Sequence, residues 1–152
     1  MMLKNLIVEP ASSYRDTGLV IVRIFFGAFM VYHGWEIFDQ TKMNEYSKWM
    51  NDLKLPAPAF MSYLGKAIEL IAGAFVFAGL FTRIVVIPLG ITMLFICFFI
   101  GEGRIFMEEQ HPFMFVLLSL LFFLTGSGRW SLDKLIMGDT RKELSKSETT
   151  FS

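Results

Sequence analysis

The chain has 152 residues, of which 54% are apolar, 16% aromatic and only 18% charged, with a mean hydropathy of +0.52. A soluble domain carries about 45–50% apolar residues with glycine included, so this composition points away from water; it also excludes disorder, which needs low hydrophobicity and high net charge. The 14 basic residues balance 14 acidic ones, which leaves no basic excess for nucleic acid, and the one cysteine, Cys97, excludes an internal disulfide, a CxxC pair and a thiolate zinc site.

A helix crossing the hydrocarbon core needs roughly 20 mostly apolar residues, with a range of about 17–25. Four windows approach that length: 18–38, 60–81, 84–101 and 112–126. The expected fold is all-α, an integral membrane four-helix bundle running up-down-up-down. Residues 1–137 form it, and 138–152 make a polar cytoplasmic tail.

The first window is apolar except for Arg23, His33 and Glu36. Gly27 and Gly34 lie one heptad apart, near the angular position of Arg23, and make a packing seam. Arg23 sits about 7 Å from the inner boundary by the helical rise. Its side chain either snorkels inward or reaches up the bundle toward Glu69. The connection 39–59 carries Tyr46, Trp49, Met50, Leu53 and Leu55 among charges, a pattern that suits a short interfacial helix or a solvated loop.

The second window holds Lys66 and Glu69, about 9 Å and 13 Å in from Phe60 at the helical rise. An ionisable residue at a membrane helix centre costs about 2.5–3.5 kcal/mol on insertion scales. Lysine can snorkel, but glutamate is short and must find a partner or a proton. Three residues apart, the two share a helix face and can meet. Ser62, Lys66, Glu69, Gly73 and Val76 form one stripe, expected to face the bundle interior, with Gly73 allowing a second helix close. Thr82 and Arg83 are nearly all that separates the second and third windows, so those helices are antiparallel neighbours. The third window carries no charge, and the fourth is short for a span.

Orientation follows from the basic residues of the short loops. Lys4, Arg15, Arg83, Arg129, Lys134, Arg141, Lys142 and Lys146 fall on one side, against Lys42, Lys48, Lys54 and Arg104 on the other, which places both termini in the cytoplasm. No cleavable signal peptide is visible, because Glu9-Pro10 interrupts the short apolar run before it. This topology gathers His33, Glu36, Lys66, Glu69, Glu108, Glu109 and His111 in the outer third of the bundle. Such a group can bind zinc or iron, relay protons to a quinone, or form an ion-paired, hydrated mouth, with Glu108, Glu109 and His111 alternatively ordinary loop residues. No tight ligand spacing such as HExxH is present, and no metal ligands are assigned.

Three segments in order resemble the DoxX family of small four-span membrane proteins, over roughly residues 17–137. They are "VRIFFGAFMVYHGWEIF" in the first window, "GKAIELIAGAFVFAGLFTRI" in the second and "GSGRWSLDKLI" after the fourth. Glu36 departs from the pattern, standing where many relatives have glutamine or another polar residue. The resemblance implies a four-helix bundle in a bacterial cytoplasmic (inner) membrane. Some relatives are subunits of thiosulfate:quinone oxidoreductase, and others belong to membrane oxidoreductase complexes handling oxidative stress. The motif positions it carries over are Arg23, His33, Gly34, Glu69, Gly73, Gly79, Arg83, Gly128, Ser131 and Asp133. Ser131 and Asp133 are expected to cap a short cytoplasmic helix.

The resulting expectation is a membrane subunit associated with redox chemistry, binding a quinone or small lipophilic ligand between its helices. Arg23, His33, Glu36, Lys66 and Glu69 are the ligand-binding or proton-relay residues, and Gly27, Gly34 and Gly73 pack the helices. With Cys97 alone there is no visible electron carrier, so redox work needs a quinone, a metal or an oxidoreductase partner subunit. Whether the chain is itself catalytic is left open. The competing reading is a non-enzymatic scaffold or chaperone-like subunit stabilising another membrane protein; under either reading the partners are the lipid bilayer, an oxidoreductase subunit or a second copy of the chain. A solute transporter ranks last, since no inverted repeat or broken helix is visible.

Overall fold

The computed structural model describes residues 12–101, 103–128 and 130–136, and among these the regular structure is entirely helical. Helix α1 spans Ser12–Gly34 and runs into a 3-10 turn, Trp35–Phe38. Helix α2 is Gln40–Asp52, α3 is Pro58–Ala78, α4 is Thr82–Phe95 and α5 is Gln110–Thr125. A π-helical segment, Ile96–Ile100, extends α4. Three stretches are long and apolar enough to cross a membrane: Tyr14–Phe38, Pro58–Ala78 and Thr82–Ile100. Helix α5 is apolar but shorter, at 16 residues. The tail 138–152 and the segment before Ser12 lie outside the described residues.

Local chemistry explains the boundaries. Asp39 caps α2, its carboxylate accepting from the Thr41 and Lys42 N–H groups at 3.0 and 3.2 Å, so residues 40–52 of the connection fold as a helix instead of a solvated loop. Pro58 opens α3, where its missing N–H is harmless. Gly79 closes that helix at φ +70°, a left-handed cap that a side chain would strain.

Packing is antiparallel between neighbours. Gly27 of α1 lies against Phe77 of α3, while Gly34 lies against Leu70, so position along one helix rises as it falls along the other. Cβ atoms at these glycines would strike backbone, and one at Gly73 would sit 2.7 Å from Met30 Cβ. Gly27, Gly34 and Gly73 therefore lie where α1 and α3 approach closely. Phe26, Met30, Val76, Leu89, Phe115 and Phe122 anchor the buried core. The Phe26 ring stacks on Phe115 and Phe122, with centroids 5.7 and 6.0 Å away. Large apolar side chains such as Phe25, Phe29, Ile84 and Leu124 point outward, as a protein solvated by lipid requires.

At the end of the molecule where α3 turns into α4, Arg23 is buried and donates to the carbonyls of Ser127 and Trp130, the latter at 2.8 Å. It neither snorkels nor reaches Glu69, correcting both readings of its side chain. Gly79 makes room for it, since a Cβ there would meet the guanidinium at 2.6 Å. Ser131 caps the following turn by accepting from the Lys134 N–H at 3.3 Å, as expected. Asp133 does not cap; its carboxylate accepts from the Phe81 N–H at 2.8 Å, and its own N–H donates to the Gly79 carbonyl at 3.2 Å. Phe81 has φ +48°, an unfavourable conformation for a bulky residue, which this clamp holds in place.

Candidate functional site

At the opposite end, α1, the 3-10 turn, α2 and α3 bring four charged side chains and a phenol together. Lys66 lies one turn before Glu69 on the inward face of α3, and its ammonium stands 2.9 Å from Glu69 Oε2. Its second carboxylate is Glu36, 3.0 Å away across the helix interface. Glu36 in turn accepts from Lys42 Nζ at 2.5 Å and from the Tyr46 hydroxyl at 2.7 Å. The Lys66 ammonium also sits over the Tyr46 ring, 4.9 Å from its centre.

Burial rises steadily along this chain of contacts. Side-chain exposure falls from 45% at Lys42 to 17% at Glu36, 14% at Lys66 and 3% at Glu69. Two ammonium groups face two carboxylates, so the cluster is neutral as a whole and tolerable in a poorly hydrated setting. Burial, and then the bond to the Glu36 carboxylate, push the Tyr46 phenol up from its ordinary value. The same carboxylate raises the Lys42 ammonium through its hydrogen bond. Tyr46 therefore stays a neutral donor, and Lys42 a cation, across any physiological pH.

Two concavities flank the cluster. A shallow open groove of about 980 Å³ runs along Ala28, Val31, Ala74 and Phe77 to Glu36 and Lys42. The smaller cavity, about 370 Å³, lies between α2, α3 and α4, and holds the buried acid. Lys66, Glu69, Tyr46 and Ser62 stand among apolar walls that include Trp49, Ile68 and Phe95. The smaller cavity matters more, because polar groups converging in an apolar recess are what a ligand site needs. Leu64 and Ile91 line it too and are 46% and 61% exposed on the outer surface, so it opens sideways between α3 and α4. The π-helical segment contributes Ile96 and Ile100 to the wall.

Of the residues expected in the site, Glu36, Lys66 and Glu69 meet directly. His33 is adjacent: its ring lies 5.2 Å from His111 and 6.2 Å from Phe115, within electrostatic range of Glu36 and Lys66. Arg23 stands apart, at the far end of the molecule. Glu108 is exposed, and the Glu109 carboxylate packs over Gly101. Lys42 and Tyr46 complete the cluster but were absent from the expected set. Their signal was the aromatic and charged pattern of 39–59, which by itself gives no bearing toward Glu36. Among the described residues, no three His, Cys, Asp or Glu side chains converge as a metal would require.

Apolar outer faces, helices of spanning length and a polar cluster at one end define a small multi-pass membrane protein. The chain belongs to the DoxX family, whose model matches residues 18–102. It is also 30% identical over 122 residues to "Putative oxidoreductase CatD" of Bacillus subtilis (strain 168), covering 80% of this chain and 88% of the relative. No solved structure matches it.

Proposed function

We propose that this protein is a membrane subunit of, or accessory to, a redox system in a bacterial cytoplasmic membrane. Its α2–α3–α4 cavity binds the head group of a quinone or a similar hydroxylated lipophilic ring. The observation that carries this reading is the pairing of Lys66 with the buried Glu69 on the wall of a cavity of about 370 Å³. A quinone head group is flat and apolar with oxygen atoms at its rim. Lys66 Nζ would hold such an oxygen, Glu69 would accept or return a proton there, and Trp49 and Phe95 would cover the ring. The lateral opening between Leu64 and Ile91 lets an isoprenoid tail remain in lipid. When bound, a quinone supplies the electron-accepting group that the chain's own residues lack. The electrons come from a partner oxidoreductase subunit, in keeping with the name "Putative oxidoreductase CatD" of the Bacillus relative. In this reading α5 completes four spans and both termini are cytoplasmic.

Trp49 offers the test. In a Trp35→Phe, Trp130→Phe background, decyl-ubiquinone added to the protein in nanodiscs is expected to quench Trp49 fluorescence saturably. Lys66→Met should weaken that binding roughly tenfold, the worth of ~1.5 kcal/mol for a hydrogen bond from a charged donor. Quenching that rises linearly, and equally in Lys66→Met, would remove the quinone reading. The competing scaffold role predicts instead that mild-detergent purification brings down a stoichiometric membrane partner with no quinone extracted.

A further inference from the structure

We propose that Glu36, with Tyr46 and Lys66, forms the path by which protons reach Glu69 from the aqueous face above α2. The inference rests on the ligand reading of the cavity and assigns the side from which its protons come. Among the described residues, the ion pair and hydrogen bond of Glu69 run to Lys66, and the next contact outward from Lys66 is Glu36. From Glu36 the contacts continue to the Tyr46 hydroxyl and to Lys42, which is 45% exposed. The links are 2.5–3.0 Å long, each within reach of direct proton transfer. Elsewhere in the cavity wall the hydroxyls of Ser62 and Thr92 donate to the carbonyls of Ala59 and Pro88, and Ile68, Ile91 and Phe95 carry no transferable proton. Among the described residues at the far end, Arg23 is turned to the carbonyls of Ser127 and Trp130 and not toward Glu69.

One transfer balances as follows. Lys66 Nζ passes a proton to Glu69 Oε2, leaving a neutral amine beside a neutral acid. Glu36, protonated from water through the Tyr46 hydroxyl or directly, returns a proton to Lys66 and regains its negative charge. The net change is one proton taken from water and one gained by Glu69. The titratable and charged groups along this route are His33 of α1, Asp39 at the cap of α2, Lys42, Glu45 and Tyr46 of α2, Lys66 of α3 and, beside His33, His111 of α5. Glu36 thus acts on Glu69 through Lys66, as a positioning and relay residue that need not touch the ligand.

The test uses the full chain in oriented proteoliposomes without any quinone. The protonated-carboxyl infrared band of Glu69, identified by its loss in Glu69→Gln, is followed after a pH jump applied to one side. A jump on the α2 side should change the band promptly, and one on the opposite side should act only after the vesicle equilibrates. Glu36→Gln should slow the α2-side response by roughly a hundredfold, the scale of a lost proton-transfer group. Tyr46→Phe should slow it less, and Arg23→Gln not at all. Should Glu36→Gln fail to fold, Tyr46→Phe and the sidedness of the response in the unmodified protein still decide. An equal response from both sides, no effect of either variant, or no titrating Glu69 band at all would overturn the path. Saturable Trp49 quenching could survive any of those outcomes, so the two ideas fail separately.

Discussion

Lys66 serves two carboxylates at once, at 2.9 Å from Glu69 and 3.0 Å from Glu36. Removing a shared cation strands a buried anion, whereas neutralising one carboxylate leaves the other to hold the ammonium. Breaking a buried ion pair costs roughly 3–5 kcal/mol in soluble proteins, and membrane hydrogen bonds average nearer ~0.6 kcal/mol. Lys66→Met is therefore expected to lower the thermal midpoint in detergent more than Glu69→Gln. The double variant should recover part of that loss, since neither charge is then left alone. Arg23→Gln combined with Glu69→Gln should be additive, because the two residues occupy opposite ends of the molecule. Additivity between Lys66 and Glu69 would deny their coupling. The Lys66–Glu69 contact was legible from i, i+3 spacing. Arg23 was not, because its partners are backbone carbonyls, and a sequence does not mark which carbonyls remain without helical partners.

Along the α1–α3 interface the contacts depend on what is absent. Gly73 faces Met30 and Val31, where an added Cβ would lie 2.7 and 2.8 Å from Met30 Cβ and the Val31 nitrogen. Neither neighbour can yield without moving a helix, so Gly73→Ala should destabilise by about 1–3 kcal/mol, the range of overpacked cores. Gly18→Ala on the same first helix meets nothing within 4 Å and should be neutral or slightly stabilising. Thermal unfolding of the two variants in one detergent checks the contrast, and equal effects would mean the seam is not tight. The seam was visible in the heptad spacing of Gly27 and Gly34. The π-helical extension of α4 was not, since Gly101 bonding back to Ile96 at 2.7 Å is a backbone choice that hydropathy does not report.

The molecule as a whole is polarised, with the ionic cluster and α2 at one end and the Arg23 knot, Arg83 and Asp133 at the other. With α2 outside, a cysteine at Lys48 should be labelled by a membrane-impermeant reagent in spheroplasts. One at Lys134 should react only after permeabilisation, and the reverse pattern would invert the orientation. The length and apolarity of the helices follow from local runs of side chains, because lipid solvates each span separately and sets its length and composition. The spacing of Gly27 and Gly34 and the Lys66–Glu69 pair are local too, being periodic along single helices. Which side chains meet across helices is another matter. It depends on the rotation of each helix about its axis and on the turn Trp35–Phe38, which swings Glu36 beneath Lys42 and Tyr46. Those angles are set by the packing of the whole bundle, and no window of sequence contains them.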